Sequence, residues 1–188
     1  MIEFGLTNPE GVLQVPESIK MGGVTVGDAW NHEVMPYTTT DVFGKSSNVG
    51  TLMRLCACLD VALDVIEPCG FPWDDRDLKR AAMDYGAMAQ VTRHSCWESF
   101  STSRPGGGRI VLLTTKAPQS FTGFAFRPSD ILLLGRESAG VPDEVHEAAD
   151  ARVTVPMKPP ARSLNMAVAG AMVLSEALRQ TNGFPAGK

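Results

Sequence analysis

The sequence is poor in the residues that build metal and disulfide frameworks. Its four cysteines, Cys56, Cys58, Cys69 and Cys96, show no paired C-x-x-C spacing in a chain of 188 residues. A zinc knuckle and a disulfide scaffold are therefore excluded, and free thiols behaving as small core residues remain. The three histidines, His32, His94 and His146, lie far apart and form no H-x-x-x-H pair, so no metal is expected. Long apolar runs are missing too. The longest uncharged stretch near the C-terminus, residues 163–175, spans 13 residues, whereas a membrane helix needs about 20. No basic n-region leads into an apolar core at the N-terminus, where Glu3 stands instead. No secretory signal is read, and a cytoplasmic protein without membrane contact is expected. Gly (18) and Pro (13) are too few for a fibrous or low-complexity chain. What is present, 44% hydrophobic and 20% charged residues, suits one globular core that buries roughly 70% of the unfolded surface.

The net charge of −4 is unevenly distributed. Residues 1–41 hold six acids against the single base Lys20, so the remainder is close to neutral. Within that remainder Arg76, Lys79 and Arg80 fall at helical spacing, with Arg93 and His94 close behind. A shared basic face or a merely solvated helix both fit this pattern.

Residues 1–45 form an irregular N-terminal segment without sustained periodicity. Ser46, Ser47 and Asn48 are helix-capping residues, and Val49, Leu52, Met53, Cys56 and Leu59 then repeat on one face. Strands are expected at 61–66, 91–93, 109–114, 130–134 and 153–155, and helices at 74–83, 142–149 and 164–178. Strands alternating with helices predict an α/β fold with a mostly parallel sheet flanked by helices.

Ligands of open α/β sheets gather at the carboxyl ends of strands, and three segments occupy such places. Asn48 to Arg54 reads N-x-G-x-x-x-R, with Gly50 permitting close backbone approach and Arg54 off the apolar stripe. Leu134 to Pro142 reads L-G-R-E-x-x-G-V-P, a glycine-bounded loop before a helix whose amides suit a ligand. It is neither a phosphate-binding P-loop nor a G-x-S-x-G elbow. Val155-Pro156-Met157 is followed by Ser163-Leu164-Asn165 and a helix rich in small residues, including Ala167, Ala169, Gly170 and Ala171. Ser163 or Asn165 either caps that helix or faces a ligand, and the small residues point to close packing against another helix.

In this order the three segments resemble the motifs of the knotted SPOUT-class RNA 2′-O-methyltransferases. The intervening Arg54-Leu55-Cys56-Ala57, Ile66-Glu67-Pro68, Asp84-Tyr85, Thr92-Arg93-His94 and Leu113-Thr114-Thr115-Lys116 are similar to the branch acting on the wobble cytidine or uridine of tRNA. The resemblance implies a methyltransferase domain over residues 46–182, a tail at 183–188, a C-terminal trefoil knot and a homodimer. It further implies S-adenosylmethionine as methyl donor, S-adenosylhomocysteine as product, tRNA as partner and no metal. Carried over position by position, Leu113, Thr114, Gly135, Val155, Met157, Ser163 and Leu164 line the donor pocket. Arg54 acts on the ribose 2′-hydroxyl as base or as orienting group, with Asn48, Glu137, Ser163 and Asn165 organising the cleft. Another RNA, ribosomal RNA included, and an inactive cofactor binder are the alternatives. The chain departs from the family pattern at its start. The family's apolar first strand stands close before the motif asparagine, whereas here residues 2–6 lie some forty residues away, and either they or residues 33–37 take that place. The acidic segment also opposes attraction to RNA.

Overall fold

The computed structural model describes residues 46–67, 69, 71, 76–104, 108–136 and 140–186. Both placements of a first strand, and Glu137, lie outside these residues. Helix α1 (Ser46–Leu59) buries Leu52, Met53 and Cys56 along the expected face. Ser46, Ser47 and Asn48 sit within its first turn instead of preceding it as caps. Strand β1 (Leu63–Ile66), helix α2 (Arg76–Ala82), a 3-10 turn (Met83–Ala87) and strand β2 (Val91–His94) follow. The chain continues through α3 (Trp97–Ser103), β3 (Ile110–Leu113), a 3-10 turn (Phe121–Gly123), β4 (Ile131–Leu134), α4 (Asp143–Ala148), β5 (Ala151–Val153) and α5 (Met166–Thr181).

All described pairings between strands are parallel. β1 pairs with β2 from Leu63 opposite Val91 to Ile66 opposite His94. β3 is the centre of a second sheet ordered β4-β3-β5. Parallel neighbours need crossover connections, which is why a helix or a long loop separates each pair of strands. Being central, β3 points alternate side chains into two separate cores. Ile110 and Leu112 join Ile66, Trp97, Phe100, Leu133, Val145 and Ala149 on one side. Val111 joins Phe121, Phe124, Phe126, Val153, Val155 and Val173 on the other. The first cluster contains residues of both sheets, so it fastens the β1–β2 pair to the rest.

Several element ends differ from the sequence expectation, β1 for instance beginning at Leu63 and not at 61, and three differences have a visible physical cause. Helix α3 was not expected, because its buried Trp97 and Phe100 span too few residues to show a period. Its N-cap is Cys96, whose sulfur accepts from the Ser99 amide at 3.4 Å, a residue outside the usual capping set. Strand β5 ends at Val153, two residues before the expected end. Thr154 leaves the ladder to bridge Ser120 instead. Helix α5 starts at Met166, not Leu164, because Asn165 is its cap.

The basic face is also smaller than the spacing suggested. Arg76, Lys79 and Arg80 are exposed on α2, but Arg93 is bound to Glu67. His94 is buried, its Nε2 2.7 Å from Asp64 Oδ1. Both side chains fasten β2 to β1 and leave the outer face to α2.

Candidate active site

A cleft of about 310 Å³ opens beyond the carboxyl ends of β3, β4 and β5. Leu113, Thr114, Gly135, Val155, Met157, Ser163 and Leu164 all line it, together with Lys116, Arg136, His146 and Met166. The seven donor-pocket positions inferred from the resemblance are thus brought to one cavity by three different strand ends. Leu112, Leu134, Val141 and Ala169 give it an apolar wall, beside polar groups from Thr114, Thr115, Lys116, Arg136, His146, Thr154 and Ser163. That combination is usual for a small-molecule site.

Glycine is required where the second segment turns. A Cβ on Gly135 would lie 2.6 Å from the carbonyl carbon of Gly140, and Gly140 itself has a φ of +71°. The turn is closed by reciprocal backbone bonds: Arg136 N donates to Gly140 O at 2.9 Å, and Gly140 N donates to Arg136 O at 2.8 Å. The Gly140 amide is therefore taken, which corrects the expectation of an open amide at that place. Pro142 is the N-cap of α4 and not its first residue.

The first segment meets the third through two asparagines. Asn165 Oδ1 accepts from the amides of Ala167 and Val168, at 3.0 and 3.2 Å. Its Nδ2 is thereby turned outward and donates to Asn48 Oδ1 at 2.9 Å. Asn165 is at once the cap of α5 and a clamp on α1, while Asn48 is 4% exposed. Gly50, two residues on, would place a Cβ 2.5 Å from the Leu78 carbonyl oxygen, so it sets the close approach of α1 and α2. Ala167 and Gly170 are buried on α5, which packs its small residues against α1 and β4.

Arg54 projects from the opposite side of α1 and is not on the cleft wall. Its guanidinium lies over the Tyr85 ring, 5.2 Å from the centroid, and Nη1 is 3.1 Å from the sulfur of Met83. The 3-10 turn after α2 thus parks this cation on an exposed platform. Ser163 is exposed at the cleft mouth, before the helix and not in the capping position.

No described thiol stands out as a nucleophile. Burial pushes the Cys56 thiol up to about 11. Burial, helped by the charge of Glu67, pushes Cys69 up to about 12, so both remain protonated near neutrality. Among the described residues no group of three or more metal-ligating side chains comes together, and no helix is long and apolar enough to cross a membrane.

Sequence reasoning passed over His146, which lines the cleft from α4. It carries no local signal, since its partner Arg152 lies six residues on, across a turn and in a strand.

The SpoU rRNA methylase family matches residues 39–175. The chain belongs to that family. A tRNA (cytidine(34)-2′-O)-methyltransferase of Beijerinckia indica is 58% identical over 138 residues, covering 73% of this chain and 86% of the relative. A solved structure reported for the 2-OH methylation of C/U34 on tRNA superposes with a TM-score of 0.71 at 35% identity, over 74% of this chain and 91% of the other. An AdoMet-bound rRNA methyltransferase from Sinorhizobium meliloti superposes with a TM-score of 0.61 at 25% identity, over 72% of this chain and 52% of the other.

Proposed function

We propose that this protein is an S-adenosylmethionine-dependent ribose 2′-O-methyltransferase acting on cytidine or uridine at the wobble position of the tRNA anticodon loop. The observation that carries the reading is the single cleft into which all seven donor-pocket positions converge, in a chain 58% identical to an enzyme named for that reaction. The domain is assigned to residues 46–182, with a C-terminal trefoil knot, and the reaction is assigned to the cytoplasm with its tRNA.

The cleft fits the donor in kind. It has an apolar wall, as a purine face requires, and the hydroxyls of Thr114, Thr115 and Ser163 with Lys116 suit a charged amino-acid end. Bound S-adenosylmethionine supplies a methyl group already activated by its sulfonium and is left as S-adenosylhomocysteine. The chain's own residues then have to position a hydroxyl and handle one proton. A guanidinium has no lone pair with which to take that proton. Arg54 therefore serves as an orienting donor to the 2′-oxygen or the neighbouring phosphate. Asn48 and Asn165 hold α1 against α5, which fixes the helix carrying Arg54 relative to the donor cleft. Glu137, by its place in the motif, is assigned to the same cleft.

The homodimer is part of this reading. Val168 and Met172, four residues apart on α5, are 51% and 41% exposed, and Leu164, just before the helix at the cleft mouth, is 39% exposed. A second copy covering these residues removes the apolar patch from water and faces the site.

The test is incubation of purified protein with S-adenosylmethionine and unmodified tRNA, followed by nucleoside mass spectrometry. A gain of 2′-O-methylcytidine or 2′-O-methyluridine at the wobble position is expected. No gain in a preparation that binds the donor would overturn the substrate assignment, and a gain on ribosomal RNA alone would replace it.

A further inference from the structure

The two lips of the cleft carry opposite charge. The cleft spans the ends of three strands ordered β4-β3-β5, so the segment after β4 forms one lip and the segment after β5 the other. On the β4 side, α4 opens with the exposed acids Asp143 and Glu144. On the β5 side no acid stands anywhere in residues 151–175, although the chain carries a net charge of −4. The cations of that stretch are Arg152, Lys158 and Arg162. Arg152 is turned onto His146, its Nε 3.0 Å from the ring Nδ1. Lys158 and Arg162 are exposed and make no ion pair among the described residues. By contrast, Arg93, Arg104, Arg109 and Arg179 each have a carboxylate as partner.

We infer that residues 158–162 form a phosphate clamp for the RNA, in which Lys158 and Arg162 take the backbone phosphates that flank the methylated ribose. The inference rests on the tRNA reading above and adds to it the surface that grips the reacting nucleotide.

Position decides the ligand. Met157 and Ser163 line the donor cleft, and residues 158–162 between them do not. Lys158 and Arg162 therefore stand outside the wall that encloses the donor, beside its opening, and their charge is available to a partner that extends beyond the cleft. A ribose whose 2′-hydroxyl meets the donor methyl brings both of its phosphodiesters to that opening, because they are bonded to the same sugar. A phosphate contact fixes position and carries no sequence, which suits the presentation of one hydroxyl.

The lip is held in place on both sides. Val155 is buried before it, and Asn165 after it donates to Asn48 at 2.9 Å. Between them Ala161 N donates to Lys158 O at 3.0 Å, which closes the turn that separates the two cations. The acids of the other lip repel the same backbone, so the RNA strand is steered along the β5 side.

The experiment measures tRNA binding by the full chain over a range of salt, as wild type, Lys158→Ala, Arg162→Ala and the charge-keeping Lys158→Arg, beside calorimetry with S-adenosylhomocysteine. Each alanine variant should lower the slope of log affinity against log salt by about 0.7 and weaken binding about three- to tenfold. Lys158→Arg should bind within about threefold of wild type, and the affinity for S-adenosylhomocysteine should be the same in all four proteins. tRNA ligated to carry an uncharged methylphosphonate on one side of the wobble nucleotide or the other completes the cycle. Each such RNA should bind wild type as weakly as an alanine variant binds the native backbone, and one alanine variant should be indifferent to it. An alanine variant weakened by the same factor on native and neutralised RNA would place its contact elsewhere and overturn the clamp. Unchanged slopes would overturn it as well, and weakened S-adenosylhomocysteine binding would give these cations to the donor instead. A wild type that binds no tRNA would sink the substrate reading on which the clamp stands.

Discussion

The two sheets of this molecule are built to different standards. In the β4-β3-β5 sheet the central strand is sealed on both faces: Ile110, Val111 and Leu112 are 2%, 0% and 1% exposed. In the β1–β2 pair only Val65, Ile66 and His94 are buried, and Asp64 and Thr92 are exposed. Every donor-cleft residue belongs to the sealed half or the loops it carries. Arg54, Arg76, Lys79 and Arg80 are exposed cations of the open half and suit a polyanion. The contrast follows from the ligands. A small molecule held for reaction needs fixed walls, whereas an RNA backbone is met over a broad, solvated surface.

The comparison can be broken most directly through stability. Leu112→Ala should cost about 2–5 kcal/mol in urea unfolding, and Leu63→Ala, on the half-buried β1, less than about 2 kcal/mol. Equal costs would mean that the two sheets are not packed differently. The next effect is on turnover. Arg54→Ala should lose about 10²-fold in methylation rate while its calorimetric affinity for S-adenosylhomocysteine stays at the wild-type value. A weakened donor affinity would place Arg54 with the sealed half and cancel the division of labour.

A smaller effect sharpens the open half. Lys79→Ala and Arg80→Ala should each lower the slope of log affinity for tRNA against log salt by about one, with the donor titration unchanged. An unaltered slope would remove α2 from the RNA surface. The smallest effect concerns acid. Arg179 and Gln180 hydrogen-bond Glu176, and these contacts hold its carboxyl down at about 2. A depressed folded-state value stabilises above the ordinary carboxylate range and is lost as pH falls toward 2. Glu176→Gln should therefore melt like wild type at low pH and slightly earlier at neutral pH. A difference that grew on acidification would reverse that sign.

Much of this was legible in the order of the residues. The apolar face of α1, the alternation of strand and helix, and the strands around 110–113 and 131–134 follow from periodicity, because burial selects apolar residues at fixed spacing. The motif glycines were also legible, since Gly50 and Gly135 stand where backbones approach too closely for any side chain. Capping was legible in part. Asn165, one of two candidates, caps α5 by accepting from two amides, whereas Cys96 caps α3 through one weak sulfur contact that no sequence pattern marks.

The sequence by itself determined the fold class, the family and the set of residues to be gathered. Those depend on local spacing and on motifs that keep their form along the chain. Only the tertiary structure decided how the set divides. It drew seven positions into one cleft, turned Asn165 into a clamp on Asn48 and withdrew His94 and Arg93 into a strand pair. It also set Arg54 on Tyr85, 31 residues away in sequence, and brought the Arg152 guanidinium onto His146 from another element. Contacts between elements depend on how faces pack, and packing distances are not written in the spacing of residues along one helix or strand.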